Sequence, residues 1–348
     1  MGIKNYLIDG VSCAGKTTVC DELQRRGYHA IHGDRELAYW GDPKTGKPVN
    51  GCAGEHRTWM WNVEKVRALV ADQNHAATFF CGGSRNSDRF IDLLDGVFVL
   101  EIDLDTLRHL LTHTSGIPDY FDEDKITDVN NFTLSIPWYE LRGPRDYLAV
   151  FPDEEMKFTP GERFAYSNGG YIILGVVIEE LTGMKYQDFV AQAIFQAIGM
   201  HQSGYFALNK LPEKTALGYV KEDGGWRTNI YNLPIVGASD GGAFTTVHDL
   251  MTLWAAFWGG EIVSKEFVEL YAVPYVKAET EGTNTYYGHG LWINEDAGRE
   301  REVYIMGGDA GVDFKSSLYQ NANLQVTVIS NTTNGAWPLL RVIESALK

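Results

Sequence analysis

"LEIDLDTLRHLLTHTSGIPDY", Leu100 to Tyr120, decides how the rest of the chain is read. Its first letters continue an apolar run, Val97 to Ile102, patterned like a buried parallel strand. From Thr106 to His113 apolar residues recur at helical spacing, and Ser115-Gly116-Ile117-Pro118 then breaks the helix into a loop. The patterns on the two sides differ in kind. The stretch predicts a join near Asp103–Leu107, with residues 1–104 as one domain and 105–348 as another.

Upstream of the join, strands alternate with helices. Tyr6–Asp9, His29–Ile31, Ala77–Cys81 and Val97–Ile102 read as strands, and Thr17–Arg26 and Glu64–Ala71 as helices. That alternation predicts an α/β fragment with a parallel sheet covered on both faces. Residues 41–54, GDPKTGKPVNGCAG, read as a loop. Downstream, helices at Gly170–Thr182, Tyr186–Ile198 and Val247–Trp258 precede three runs of period two, Glu302–Ile305, Phe314–Gln320 and Leu324–Ser330. A last helix spans Pro338–Leu347. Helices followed by consecutive strands predict an α+β domain with an antiparallel sheet.

Composition narrows the function classes. A net charge of −16 argues against nucleic acid or an acidic membrane surface, which need clustered Lys and Arg. No apolar run approaches the roughly 18–20 residues of a membrane span, and MGIKNYLIDG has no apolar core of a signal peptide. Met1-Gly2 starts like a myristoylation site, but Tyr6 stands where Ser or Thr is needed. The expectation is a cytoplasmic location. All four cysteines (Cys13, Cys20, Cys52, Cys81) precede the join, at spacings that fit no zinc pattern, and they read as buried thiols.

Gly10-Val11-Ser12-Cys13-Ala14-Gly15-Lys16-Thr17 fits G-x-x-x-x-G-K-[ST] at every fixed position, between a predicted strand and a predicted helix. Glycines let the backbone curl so that its N–H groups face a phosphate, and the helix start adds partial positive charge. Gly10, Ser12, Gly15, Lys16, Thr17 and Thr18 are the candidate nucleotide-binding residues, with Lys16 on the phosphates and Thr17 on Mg²⁺ of a bound Mg-ATP. The stretch 1–103 resembles the small P-loop nucleotide and nucleoside kinases. By that resemblance Asp34 holds a phosphoryl acceptor and Arg85 grips a base or phosphate; a helix cap and a surface charge are the structural alternatives. The family's Arg-rich lid and its further strand and helix do not follow, which argues against phosphoryl transfer.

From Leu107 the residues resemble the serine β-lactamase and penicillin-binding protein superfamily, in its class C and esterase-like branch. "LRHLLTHTSGIPDY", "FTPGERFAYSNGGYIILGVVIEELTG", "GASDGGAFTTVHDLMTLWAAF" and "GGDAGVDFKSSLYQNANLQVTVISN" carry the likeness, in the expected order. The resemblance implies acyl-serine chemistry on amides, esters or β-lactams, without a metal cofactor. It gives Tyr166 the role of proton relay and Asn168 that of a hydrogen-bond partner for the acyl side chain. A phenol of ordinary pKa, about 10, relays a proton near neutrality only beside a cation. In the family that cation is the Lys of S-x-x-K, one turn after the nucleophilic Ser. No such motif stands upstream of Leu107. Ser12 and Lys16 are four apart, Cys13 and Lys16 belong to the phosphate loop, and Ser345-Ala346-Leu347-Lys348 is terminal. Lys44-Thr45-Gly46 spells the family's third motif but precedes Tyr166. At the expected third-motif position stands Ile305-Met306-Gly307: Ile305 replaces the donor, and Gly307 keeps the close backbone approach as a substrate-contact candidate.

Without the segment before Leu107, the strand Leu324–Ser330 lacks a neighbour, so N-terminal strands or another copy of the chain are expected along that edge. His109 and His113, four apart, form a candidate metal pair or have structural roles. His289 reads as a packing residue, and Asp240-Gly241-Gly242 as a turn near the site's rim. Trp226, Tyr286, Tyr287 and Trp292 line an acyl pocket or fill core. Three functions stay open: a serine hydrolase-type protein lacking its nucleophile motif, an ATP-dependent small-molecule kinase, and a non-catalytic binding protein.

Overall fold

The computed structural model describes residues 4–10, 15–42, 45, 47–48, 59–100, 103–126, 128–278, 284–295 and 301–346. The chain divides into two compact units. One comprises Met1–Asp103 with Val177–Gly183, the other Leu104–Val176 with Met184–Lys348.

In the first unit, β1 (Lys4–Gly10) leads to α1 (Lys16–Arg25), β2 (His29–His32) and the single turn α2 (Gly33–Glu36). A small antiparallel pair, β3 (Ala38–Trp40) and β4 (Trp59–Trp61), precedes α3 (Val63–Ala71), β5 (Ala77–Cys81) and β6 (Gly96–Leu100). The four longer strands pair in parallel in the order β2-β5-β1-β6. Leu7, Ile31, Trp61, Val66, Phe80 and Phe90 form one core cluster, and Ile8, Cys20, Ala30 and Cys81 another. Leu7 and Ile8, adjacent on one strand, enter different clusters because successive side chains leave opposite sheet faces. Among the described residues the sheet ends on β6, where Val97, Phe98 and Val99 are 41%, 53% and 60% exposed, an apolar terminal strand.

The second unit begins with α4 (Leu104–Leu111). An irregular stretch leads to α5 (Asn168–Thr182) and α6 (Tyr186–Val190), which runs on through a π-helical turn, Ala191–Gln196. The hairpin β7 (Tyr219–Glu222) and β8 (Gly225–Thr228) was not apparent in the periodicity. After α7 (Val247–Gly259) and α8 (Lys265–Tyr271) the chain enters a six-stranded antiparallel sheet. Its strands are β9 (Val276–Lys277), β10 (Thr285–Tyr287), β11 (Trp292–Asn294), β12 (Glu302–Asp309), β13 (Val312–Tyr319) and β14 (Leu324–Ser330), followed by α9 (Ala336–Ala346). Their order is that of the sequence, a meander. Trp254 of α7 donates its indole N–H to Ser316 Oγ at 2.9 Å, and α9 packs on β14 through Val328, Ala336 and Leu340.

Two expectations are corrected here. The N-terminal strands do not extend the antiparallel sheet: among the described residues β14 is its terminal strand, because the parallel strands find their partners through helical crossovers within their own unit. Beyond the end of β14, Tyr219 N–H bonds Asn331 O at 2.9 Å. Nor do His109 and His113 share a helix. α4 ends at Leu111, and His113, at φ 54°, has left the helical conformation. No helix of the described residues is long and apolar enough to cross a membrane.

Candidate active site

The loop after α4 and the segment before α5 are laced together. Lys157 N–H bonds Gly116 O at 2.7 Å, Gly161 N–H bonds Thr114 O at 2.8 Å, and Ala165 N–H bonds His113 O at 2.9 Å. Gly116, at φ 70°, is required: a Cβ there would lie 2.4 Å from Phe158 O. This lacing delivers Tyr166 and Ser167 to the start of α5. Asp119 closes that helix start, with its carboxylate accepting from Asn168 N–H at 2.6 Å, Gly169 N–H at 3.0 Å and Phe121 N–H at 3.1 Å. Three otherwise orphaned donors are thus satisfied by one side chain that lies 49 residues upstream of Asn168. Ser167 Oγ accepts from Gly170 N–H at 3.0 Å, so Ser167 is a cap.

His113 is the hub beneath. Its Nδ1 accepts from Ser167 N–H at 3.0 Å, and its ring lies 4.2 Å from that of Tyr166, 4.9 Å from Tyr171 and 4.7 Å from Tyr287. Burial in this aromatic box pushes its pKa down to about 3, so the imidazole is neutral. His109 instead bonds Thr114 Oγ1 at 2.9 Å. No group of His, Cys, Asp and Glu among the described residues could hold a metal ion.

Tyr166 is half-buried between His113 and Trp292. Its hydroxyl has no hydrogen-bond partner among the described residues. Burial holds its pKa far above the ordinary phenol value, and the charges of Glu123, Asp240 and Asp119 push the same way. Asn168 Nδ2 donates to Phe121 O at 3.2 Å and lies 3.5 Å from Glu123 Oε1. Asp240 accepts a short hydrogen bond from the Tyr120 hydroxyl, and its pKa is pushed up to about 6 by burial. Asp309, at the end of β12, accepts from Ala310 N–H at 2.6 Å; burial, with Asp240 and Glu123 nearby, pushes its pKa up to about 7. None of the charges that weigh most on Tyr166, Asp240 or Asp309 is positive. Lys157 and Lys125 are committed to Asp122, at 2.8 and 3.5 Å. A neutral phenol among carboxylates donates or accepts a hydrogen bond; it is a poor base at neutral pH.

On β12, a Cβ at Gly307 would sit 3.0 Å from the Phe314 ring, and Ile305 packs against the cluster of Trp254, Leu291, Ile293 and Val303. Tyr287 is buried, with its hydroxyl 3.0 Å from that of Tyr171, and Trp226 is 58% exposed. His289 is buried against Tyr271 and Tyr275. Sequence reasoning missed Asp119 and Asp309. Asp119 stands in the quoted Leu107–Tyr120 stretch, but nothing local marks it as the cap of a helix that starts at Asn168.

A family model described as Beta-lactamase matches residues 105–344. The chain belongs to the Beta-lactamase family. It is 28% identical over 242 residues to penicillin-binding protein 4* of Bacillus subtilis (strain 168), a match covering 65% of this chain and 51% of that protein. The crystal structure of a penicillin-binding protein from Bacillus halodurans is 44% identical, with TM-score 0.65, over 68% of this chain and 72% of that one. The octameric penicillin-binding protein homologue from Pyrococcus abyssi is 27% identical, with TM-score 0.55, over 68% and 55%. The chain thus spans about half the length of the curated relatives it matches. Within the Beta-lactamase match lie Tyr166, Asn168, Asp119, Asp240 and Asp309, and outside it lies the whole parallel sheet.

In the first unit, Gly10 has φ 150°, and a Cβ there would lie 2.4 Å from Leu100 O, so the neighbouring strand β6 alone requires glycine. Gly15, at φ 88°, faces open space, and Lys16 Nζ donates to Gly10 O at 2.6 Å. Thr17 is exposed. Ser12 and Cys13, the Thr18 side chain, Cys52, Lys44 and Gly46, and Leu347 and Lys348 lie outside the described residues. Asp34 accepts from Trp61 Nε1 at 3.4 Å; burial raises its pKa, while Trp61 and Lys16 oppose the rise. The arrangement brings Asp9, Lys16, Asp34 and Gly82-Gly83 to the C-terminal ends of parallel strands. Arg85 is not brought in. It is exposed, and the contact that fixes it is its backbone N–H to Trp59 O at 3.1 Å.

Proposed function

We propose that the second unit is a serine β-lactamase-type acyl-binding domain that holds amide, ester or β-lactam compounds at Tyr166 and Asn168 without turning them over. The observation that carries this reading is the company of the Tyr166 phenol: a neutral imidazole and carboxylates, with no cation among the described groups that weigh most on it. Acyl-serine chemistry needs a nucleophile activated by a base, and no S-x-x-K precedes Tyr166 in this sequence. Support for the ligand class comes from the relatives that are named penicillin-binding proteins. Folded protein is incubated with a fluorescent penicillin and with a fluorophosphonate, then digested and mapped. Reversible binding without a covalent adduct is expected; an adduct on any Ser or Cys overturns the reading.

A second reading concerns the first unit: it binds Mg-ATP, with Lys16 on the phosphates and Thr17 on the metal, as a fragment of a P-loop kinase joined near Asp103–Leu107. Lys16, Asp34 and Gly83 at the ends of parallel strands favour it, because open α/β sheets bind ligands there. Mg-ATP should raise the melting temperature of the full chain, and Lys16→Ala should remove the shift. Phosphoryl transfer is not part of this reading, since no lid arginines follow β6. Association of copies along β14 is proposed on the same terms, from its unpaired edge.

A further inference from the structure

We propose that His113 is a positioning residue for Tyr166: its carbonyl and its Nδ1 grip the backbone on both sides of Tyr166, and its ring sets the height of the phenol in the site. The inference rests on the reading that acyl compounds bind at Tyr166 and Asn168. The first ground is the pattern of bonds. Ala165 N–H donates to His113 O at 2.9 Å, and Ser167 N–H donates to His113 Nδ1 at 3.0 Å. One residue thus takes a donor from each neighbour of Tyr166, so the Tyr166 Cα is fixed from both directions. The imidazole lies 4.2 Å from the phenol ring, tilted by 38°, and the Trp292 ring lies 6.2 Å from it at 18°. The Tyr166 hydroxyl makes no hydrogen bond among the described residues, so the grip and the ring contacts set where it stands.

The second ground is what His113 gives up to stand there. Its φ of 54° lies in the left-handed region, where a non-glycine residue is uncommon. Lys214, Asn323 and Asn334 share that feature, but all three are exposed, whereas His113 is 1% exposed. Because Nδ1 accepts from Ser167, the proton of the neutral ring is on Nε2. Nε2 is buried without a hydrogen-bond partner among the described residues, in a ring enclosed by Phe164, Tyr171 and Tyr287. A left-handed backbone and an unmet buried donor both cost stability, and a glycine at 113 would carry neither. Glycine could supply neither the acceptor for Ser167 N–H nor the ring beside Tyr166. The cost is therefore borne at the point where the phenol is held.

The grip depends on the tautomer. Burial pushes the imidazole pKa down to about 3, which leaves the Nδ1 lone pair free at neutral pH. Asn carries its Oδ1 the same number of bonds from Cα as His carries Nδ1, and it tolerates a left-handed backbone, so it can take over the bond from Ser167. Gly tolerates the backbone and takes over nothing. Both substitutions empty the space of the ring. Loss of packing is common to them, and a difference between them reports the bond to Ser167.

The test uses the full chain labelled with fluorotyrosine, the Tyr166 ¹⁹F resonance being assigned by its loss in Tyr166→Phe, together with a fluorescent penicillin titrated at neutral pH. In the ¹⁵N-labelled parent, a coupling between the Ser167 amide nitrogen and His113 Nδ1 across the hydrogen bond is expected; its absence overturns the grip without recourse to a variant. His113→Asn should keep the Tyr166 resonance near its parent position and weaken penicillin binding about threefold, the share of the lost ring. His113→Gly should shift or broaden that resonance and weaken binding about thirtyfold or more. Equal weakening by the two variants, or a parent-like resonance in His113→Gly, reduces His113 to a packing residue and overturns the inference. If the parent binds no penicillin, the acyl-binding reading fails, while the coupling and the resonance still decide whether His113 positions Tyr166.

Discussion

The two units end their sheets and supply their candidate sites in opposite ways. The parallel sheet stops at β6 with Val97, Phe98 and Val99 exposed, and it keeps a lysine, Lys16, near the ends of its strands. Among the described residues the antiparallel sheet stops at β14, with Ile329 42% exposed, and the charges that weigh most on Tyr166, Asp240 and Asp309 are negative. The phosphate-loop pattern Gly10 to Thr17 is contiguous in sequence, because a loop of that kind would grip a phosphate by successive backbone N–H groups. The second is assembled from positions 113, 119, 166, 240 and 309, because a side-chain constellation needs several elements to aim at one point.

That contrast can be broken most forcefully at His113. His113→Asn keeps a residue type that tolerates φ 54° but empties the aromatic box, and should cost about 2–4 kcal/mol at pH 7 in urea denaturation. The native imidazole titrates near 3 against an ordinary 6.5, so its contribution is full above pH 6.5 and is lost as pH falls through 6.5 toward 3. The variant should therefore lose less stability on acidification than the parent does. An equally steep fall in both proteins would assign the acid sensitivity elsewhere.

Asp119→Ala leaves two backbone N–H groups at the start of α5, and that of Phe121 in the loop, without their acceptor and should cost about 1–3 kcal/mol. Faster amide exchange confined to Phe121 and Asn168–Gly169 is the expected signature, and unchanged exchange there would show that another group caps the helix. Asp309→Asn should act in the opposite sense. Its folded pKa of about 7 lies above that of an unfolded carboxyl, so the charged form opposes folding increasingly as pH rises from about 4 to 7. The variant should gain about 1–3 kcal/mol at pH 8 and nothing near pH 3, read from paired denaturation curves. The smallest effect belongs to Tyr166→Phe. Since the hydroxyl has no partner among the described residues, stability should change by less than about 0.5 kcal/mol; a loss above about 1 would reveal a bond that stabilises the fold.

Much of the element order was legible. The β1–α1 signal, the helix at Asn168–Thr182 and the period-two runs of β12 to β14 all follow from apolar spacing. Strands of two or three residues, such as β9, β10 and β11, left no period to read, and their pairing is decided by neighbours. The quoted YSN motif marked Tyr166 and Asn168, and the family match to residues 105–344 supports the superfamily reading of that stretch.

The order of residues alone dictates the change of architecture near Asp103, the family of residues 105–344, and the absence of a serine–lysine pair before Tyr166. Those are properties of local order, carried by spacing along one chain. The folded arrangement was needed to establish that Asp119 caps a helix 49 residues away, that His113 is neutral, and that Asp240 and Asp309 share a field with Tyr166. Protonation and partnership depend on which groups lie within a few ångströms and on how much water is excluded, and neither quantity is written in any single segment.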